Sequence, residues 1–106
     1  MFRQTKIYTR TDGGDFFDLV APMVSIHGKI MADKKQRQGF LGIKLDLQDE
    51  GRKFMSIQNW ESRKTANSWQ TYLKTLPAYA EYTATMDEFL VTHNIVMEEI
   101  LEDVEA

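Results

Sequence analysis

The chain has 106 residues, 42% of them hydrophobic and 27% charged, with no cysteine and a net charge of −3. That length suits a single domain with one modest core, and that composition excludes a disordered chain, a collagen-like repeat and a low-complexity linker. The missing cysteine excludes a disulfide scaffold, a thiolate nucleophile and a cysteine-ligated zinc or iron–sulfur centre, and the acidic balance argues against a nucleic-acid partner.

Arg3 to Arg10 reads as a strand, because Ile7, Tyr8 and the threonines favour a pleated surface. Thr11-Asp12-Gly13-Gly14 is a turn. Asp15 is placed as the N-cap of a helix running from Phe16 to Lys34, with Asp18 adding negative charge near its start. Phe16, Leu19, Met23, Ile26 and Ile30 form one apolar stripe, and Phe17, Val20, Val24, His27 and Met31 the adjacent one. Pro22 is expected to kink or restart this helix, and the polar run Asp33 to Gln38 to end it.

Gly39 to Gln48 alternates, with Leu41, Ile43, Leu45 and Leu47 on one face, as in a half-buried strand. Gln48 to Gly51 is a hairpin loop, Gly51 supplying a positive φ. Arg52 to Trp60 returns, with Met55, Ile57 and Asn59 on one face and Phe54, Ser56, Gln58 and Trp60 on the other. Ser62 is a plausible N-cap for a second helix whose buried side carries Ala66, Trp69, Tyr72, Leu73 and Leu76. Pro77 breaks or redirects it, a further helical piece carries Tyr79, Tyr82, Met86, Phe89 and Leu90, and His93-Asn94 closes it. Ile95 to Val104 is the last strand, in an acidic terminus over about residues 95–106.

The order βαββαβ is the ferredoxin-like α+β arrangement, an antiparallel sheet with helices on one face, in a single domain over 1–106. The other face is expected to carry Phe54 and Trp60 and to meet a second copy in a two-fold homodimer. Charge is also divided. Residues 1–65 hold 12 Lys/Arg against 8 Asp/Glu, and residues 66–106 hold 1 against 8. This division either steers a partner, pairs two copies, or gives two solvated faces. Phe16 to Ile30 is interrupted by Asp18, Pro22, Ser25, His27 and Lys29, so no membrane span is expected, and no signal-peptide pattern follows Met1. A soluble, cytoplasmic protein is the simplest expectation.

Two motifs, Gly39-Phe40-Leu41-Gly42-Ile43-Lys44-Leu45 and Phe54 to Trp60-Glu61-Ser62, resemble the "G-x-L-G-x-x-L" strand and "W-E-S" strand end of the antibiotic-biosynthesis-monooxygenase-like family. The resemblance covers about residues 1–90. It implies a dimeric α+β barrel of two ferredoxin-like subunits packed sheet to sheet, each with a pocket between sheet and helices. Some members are oxidoreductases that oxidise aromatic polyketides with dioxygen and neither metal nor flavin; others degrade haem. The haem branch carries two tryptophans at the spacing of Trp60 and Trp69, then a histidine where this chain has Tyr79. It also uses an asparagine in the first strand, and Arg3 to Arg10 has none, so haem degradation is not expected. No cofactor is assigned.

For the cofactor-independent oxygenase branch, Trp60 matches the strand tryptophan, and Gln58 and Ser56 share its face. Trp60 either stacks on a flat substrate or fills the dimer barrel. Gln58 either holds a substrate carbonyl or makes a dimer hydrogen bond. Tyr72, Tyr79 and Tyr82 either line a pocket for an aromatic, oxygen-rich ligand or form a core stripe. His27 is the better of two histidines for acid–base work, or a packed residue; His93 suits a helix end. The candidates for catalysis are thus Trp60, Gln58, Tyr79 and His27, and those for binding are Phe54, Ser56, Gln58, Trp60, Trp69, Tyr72, Tyr79 and Tyr82. A phosphate loop, a preformed zinc pair, a calcium loop and a nucleophile elbow are all missing from the pattern. Two functions remain open: a cofactor-independent monooxygenase of an aromatic or polyketide-like substrate, and a non-catalytic dimeric module for a hydrophobic ligand or a partner protein.

Overall fold

The computed structural model describes residues 1–30 and 38–104. Its elements are β1 (Phe2–Arg10), α1 (Val20–Gly28), β2 (Phe40–Gln48), β3 (Lys53–Trp60), α2 (Arg63–Leu73), α3 (Pro77–Thr92) and β4 (Ile95–Asp103). The strands form one sheet in the order β2-β3-β1-β4, every pair antiparallel. This is the expected ferredoxin-like α+β arrangement, with the second helix in two pieces.

Helix α1 begins at Val20, not at Phe16. Phe16 is completely buried, and its N–H donates to the Gly51 carbonyl, 2.8 Å away. The chain is therefore tied to the β2–β3 hairpin before it can coil. Asp15 caps only the short turn ahead of the helix, its carboxylate accepting from the Phe17 N–H at 3.1 Å. Leu19 is the N-cap, so Pro22 falls in the first helical turn. There its missing N–H has no intrahelical partner to lose, and the expected kink is unnecessary. The helix ends at Gly28, short of the expected Lys34: Lys29 caps it and the Ile30 N–H turns back to the His27 carbonyl at 3.3 Å. The rest of the expected extension, and most of the polar loop after it, lie outside the described residues.

The hairpin between β2 and β3 turns through Asp49, Glu50 and Gly51, with φ of 53°, 57° and 86°. The Gly51 N–H closes the turn on the Gln48 carbonyl at 3.0 Å. Two successive left-handed residues match the right-handed twist of the flanking strands. Gly51 is required twice over, since a Cβ there would sit 2.7 Å from the Phe17 ring. That ring is otherwise 62% exposed, so Phe17 leaves the inner stripe assigned to it.

Ser62 caps α2 as expected. Its hydroxyl accepts from the Thr65 N–H, and the Thr65 hydroxyl accepts from the Ser62 N–H, each at 3.2 Å. Pro77 opens α3 at its first position, where a fixed φ and an absent donor cost nothing. Asn94, at φ 54°, ends α3 and starts β4.

Residues directly opposite in an antiparallel pair share a face. Register therefore puts Phe2, Gln4, Lys6 and Tyr8 of β1 with Trp60, Gln58, Ser56 and Phe54 of β3. Phe54 and Trp60 are buried in the two core clusters, so this is the helix-covered face. The expectation that they lie on the bare face is corrected. That face carries Ile7, Met55, Ile57, Val96 and Ile100 among polar neighbours. Alternation alone could not choose which set meets the helices.

Strand β2 departs from simple alternation. Phe40 pairs with Trp60 but Gly42 pairs with Asn59, so a bulge falls at Leu41. Phe40 thereby turns inward, its ring 5.1 Å from that of Trp60. Ile43, Leu45 and Leu47 also face the helices, yet all three are exposed, because β2 is a sheet edge. Among the described residues no helix is long and apolar enough to cross a membrane.

Candidate functional site

A cavity of about 170 Å³ lies between the sheet and the helices α1 and α3. Alternation along β1 brings Lys6 and Tyr8 to its floor, and β3 contributes Ser56 and Phe54 beside them. Met23, Val24 and His27 line it from α1, Met86 from α3, and Ile43 and Leu45 from the β2 edge. The walls are mostly apolar, with one amine, one phenol, one hydroxyl and one imidazole placed among them. A few polar groups in an apolar hollow are the usual makeup of a small-molecule site.

Burial sets the protonation of these groups. It pulls the Lys6 amine below the ordinary lysine value, and the Glu99 carboxylate across β4 only partly opposes this. Burial also drives the Tyr8 phenol far above its ordinary value, helped by Tyr82 and Glu99. Tyr82 is raised too, by burial and then by Tyr79 and Asp87. Both phenols are therefore neutral near physiological pH. The Tyr82 hydroxyl lies 3.2 Å from His27 Nδ1, joining α3 to α1 beside the cavity. Tyr8 stacks on Phe54 with ring centres 5.8 Å apart, which holds the floor flat.

The candidates from sequence separate into two groups. Phe54, Ser56 and His27 meet at this cavity, and Tyr82 stands behind His27. Gln58, Trp60, Trp69, Tyr72 and Tyr79 belong to the neighbouring aromatic region built on Phe2, Ile30 and Leu73. There Trp60 stacks towards Trp69 at 6.4 Å, and Trp69 towards Tyr72 at 5.7 Å. The indole N–H of Trp60 donates to the Gln58 side-chain carbonyl at 3.3 Å, so these two buried polar groups satisfy each other. Sequence reasoning missed Lys6 and Tyr8 on the floor, and Met23, Val24, Ile43, Leu45 and Met86 on the walls. The signal for the first two was available: Phe2, Gln4, Lys6 and Tyr8 alternate onto one face, and an amine on a face that also carries Phe2 and Tyr8 is unusual.

Among the described residues no group of three or more His, Asp or Glu side chains could hold a metal ion. No family model matches the chain, and no curated protein matches it by sequence. Solved structures do resemble it in shape. One is a candidate antibiotic biosynthesis monooxygenase from Deinococcus radiodurans, at 13% identity and a TM-score of 0.61, aligned over 100% of this chain and 94% of that one. A second is SnoaB, a cofactor-independent oxygenase from Streptomyces nogalater, at 13% identity and 0.63, over 99% of this chain and 93% of that one. A third is described as an antibiotic biosynthesis monooxygenase, at 10% identity and 0.57, over the full length of both chains. The order of strands and helices, the one-sided helical cover and these whole-chain matches agree: the chain has the ferredoxin-like α+β fold of the antibiotic biosynthesis monooxygenase structures.

Proposed function

We propose that this protein is a small-molecule oxygenase that needs no cofactor and acts on an electron-rich aromatic or enolic substrate. The observation that carries the reading is the apolar cavity under α1 and α3, in a fold shared with a protein described as a cofactor-independent oxygenase. An apolar hollow strengthens the electrostatics of its few polar groups and excludes water from a reactive anion. A phenol with a free para position supplies the electrons itself. It loses its O–H proton and gives electrons to dioxygen. One oxygen atom becomes the new ring carbonyl, and the other leaves as water with the two hydrogens removed, giving a quinone. Residues at the cavity would touch the substrate, while Gln58, Trp60, Trp69, Tyr72 and Tyr79 hold the wall beside it.

A homodimer formed through the bare sheet face, and a cytoplasmic location, belong to the same reading. Ile7, Met55, Ile57 and Ile100 supply that face with apolar area to cover. A second reading, a non-catalytic dimeric binding module, is favoured by one observation: the Trp60 indole is already engaged by Gln58. Dioxygen uptake with a panel of phenols and 1,3-diketones separates the two. The oxygenase consumes one dioxygen per quinone formed from a phenol, or per triketone formed from a 1,3-diketone, with one water released; binding without uptake by any member of the panel leaves the module.

A further inference from the structure

We propose that Lys6 is the base of this cavity, and that the cavity takes a single-ring molecule with one acidic hydroxyl and holds it as the anion against the Lys6 amine. The proposal rests on the small-molecule reading above and adds to it a substrate class and the residue that deprotonates it.

Size comes first. A cavity of about 170 Å³ is close to the roughly 150 Å³ engineered hollow that accepts benzene. One ring with small substituents matches that volume. Shape follows from the lining. Met23 from α1 and Met86 from α3 present polarisable thioethers, which make favourable contacts with aromatic rings.

Position is the second argument. Among the described residues Lys6 is the only lysine or arginine lining the cavity. It stands directly opposite Ser56 on β3 and Glu99 on β4. Glu99 is held by Gln4, whose amide donates to it at 3.0 Å, and among the described residues no carboxylate lies within ion-pair distance of Lys6. The amine is thus set in an apolar hollow with its nearest opposite charge turned to another partner. The titratable groups around it are Glu99 from β4, Tyr8 from its own strand, His27 from α1 and Tyr82 from α3. The two phenols are kept neutral by burial, so they add no competing anion.

Chemistry completes it. Burial favours the neutral amine, and a neutral amine can accept a proton. Transfer of the hydroxyl proton to Nζ turns amine and phenol into ammonium and phenolate, an ion pair formed against mostly apolar walls. Neither charge is then buried alone.

The test uses 4-nitrophenol, whose anion absorbs at longer wavelength than its neutral form, with the intact protein under nitrogen. Its uncharged counterpart nitrobenzene is the control. We expect the ionisation midpoint of bound 4-nitrophenol to fall by about one pH unit or more relative to the free probe. Lys6→Met should remove that shift and weaken binding about tenfold or more, while still taking nitrobenzene. Lys6→Arg should bind the anion without being able to accept its proton. If the wild-type protein binds 4-nitrophenol only in its neutral form, the proposal is overturned without any variant. It is equally overturned if Lys6→Met shifts the midpoint as the wild type does; binding of nitrobenzene then leaves the cavity reading standing. If neither probe binds the wild type, the cavity reading fails and takes this one with it.

Discussion

His27 and Tyr82 are joined across two helices, the imidazole Nδ1 3.2 Å from the phenol oxygen. The contact fastens α1 to α3 at the edge of the cavity, and its rings meet edge to face at 6.1 Å. Tyr82→Phe keeps the ring and removes the hydroxyl. We expect a loss of about 1 kcal/mol in urea unfolding, the net worth of one such bond. An unchanged midpoint would mean that the contact contributes nothing to holding the helices.

Gln58→Leu strands the buried indole N–H of Trp60. A buried donor left without its acceptor costs about 1–3 kcal/mol, so the variant should unfold at lower urea. Full stability combined with lost dioxygen uptake would instead make Gln58 a group that touches the substrate.

The pH dependence of stability isolates Lys6. Its folded-state value lies below the ordinary 10.5, so between the two values the unfolded chain binds more protons. Stability contributed by this group therefore rises with pH across that window and is lost as pH falls through the folded value. Relative to Lys6→Met, the wild type should gain stability as pH rises towards the ordinary lysine value of 10.5. The buried phenols of Tyr8 and Tyr82 act oppositely above their ordinary value of 10.0, where the unfolded chain ionises first. Both proteins should lose stability there together. A constant difference between wild type and variant across the window would show that Lys6 is not desolvated.

Gly51→Ala tests the hairpin. A residue with a Cβ in the left-handed region costs about 1–2 kcal/mol, and here the Phe17 ring must also move. A drop in melting temperature is expected, and Phe17→Ala in the same background should recover part of it. No recovery would place the whole cost in the backbone.

The bare sheet face is probed by Ile57→Glu. If two copies meet there, sedimentation should show a dimer for the wild type and a monomer for the variant, since a buried unpaired carboxylate is costly. A wild-type monomer would remove the sheet-to-sheet dimer from the proposed function.

Local pattern alone determined much of this molecule. The 3.6-residue and two-residue periods, the cap at Ser62 and the breaks at Pro77 and Gly51 specify βαββαβ, because each acts through neighbours a few residues away. The same local rules failed at Phe16, where a hydrogen bond to Gly51 on a distant hairpin outweighs helix formation. They failed at Leu41, where a bulge interrupts alternation. The site was legible only in part. Phe54, Ser56 and His27 were readable as polar and aromatic side chains on plausible inner faces, but alternation has two phases of equal merit. Register and helix cover decided that Phe54 and Trp60 turn inward, that Gln58 pairs with Trp60 in the aromatic region, and that Lys6 comes to the cavity floor. Those choices rest on contacts between strands and helices far apart in the chain, and burial, which gives the Lys6 amine its chemistry, exists only once they are made.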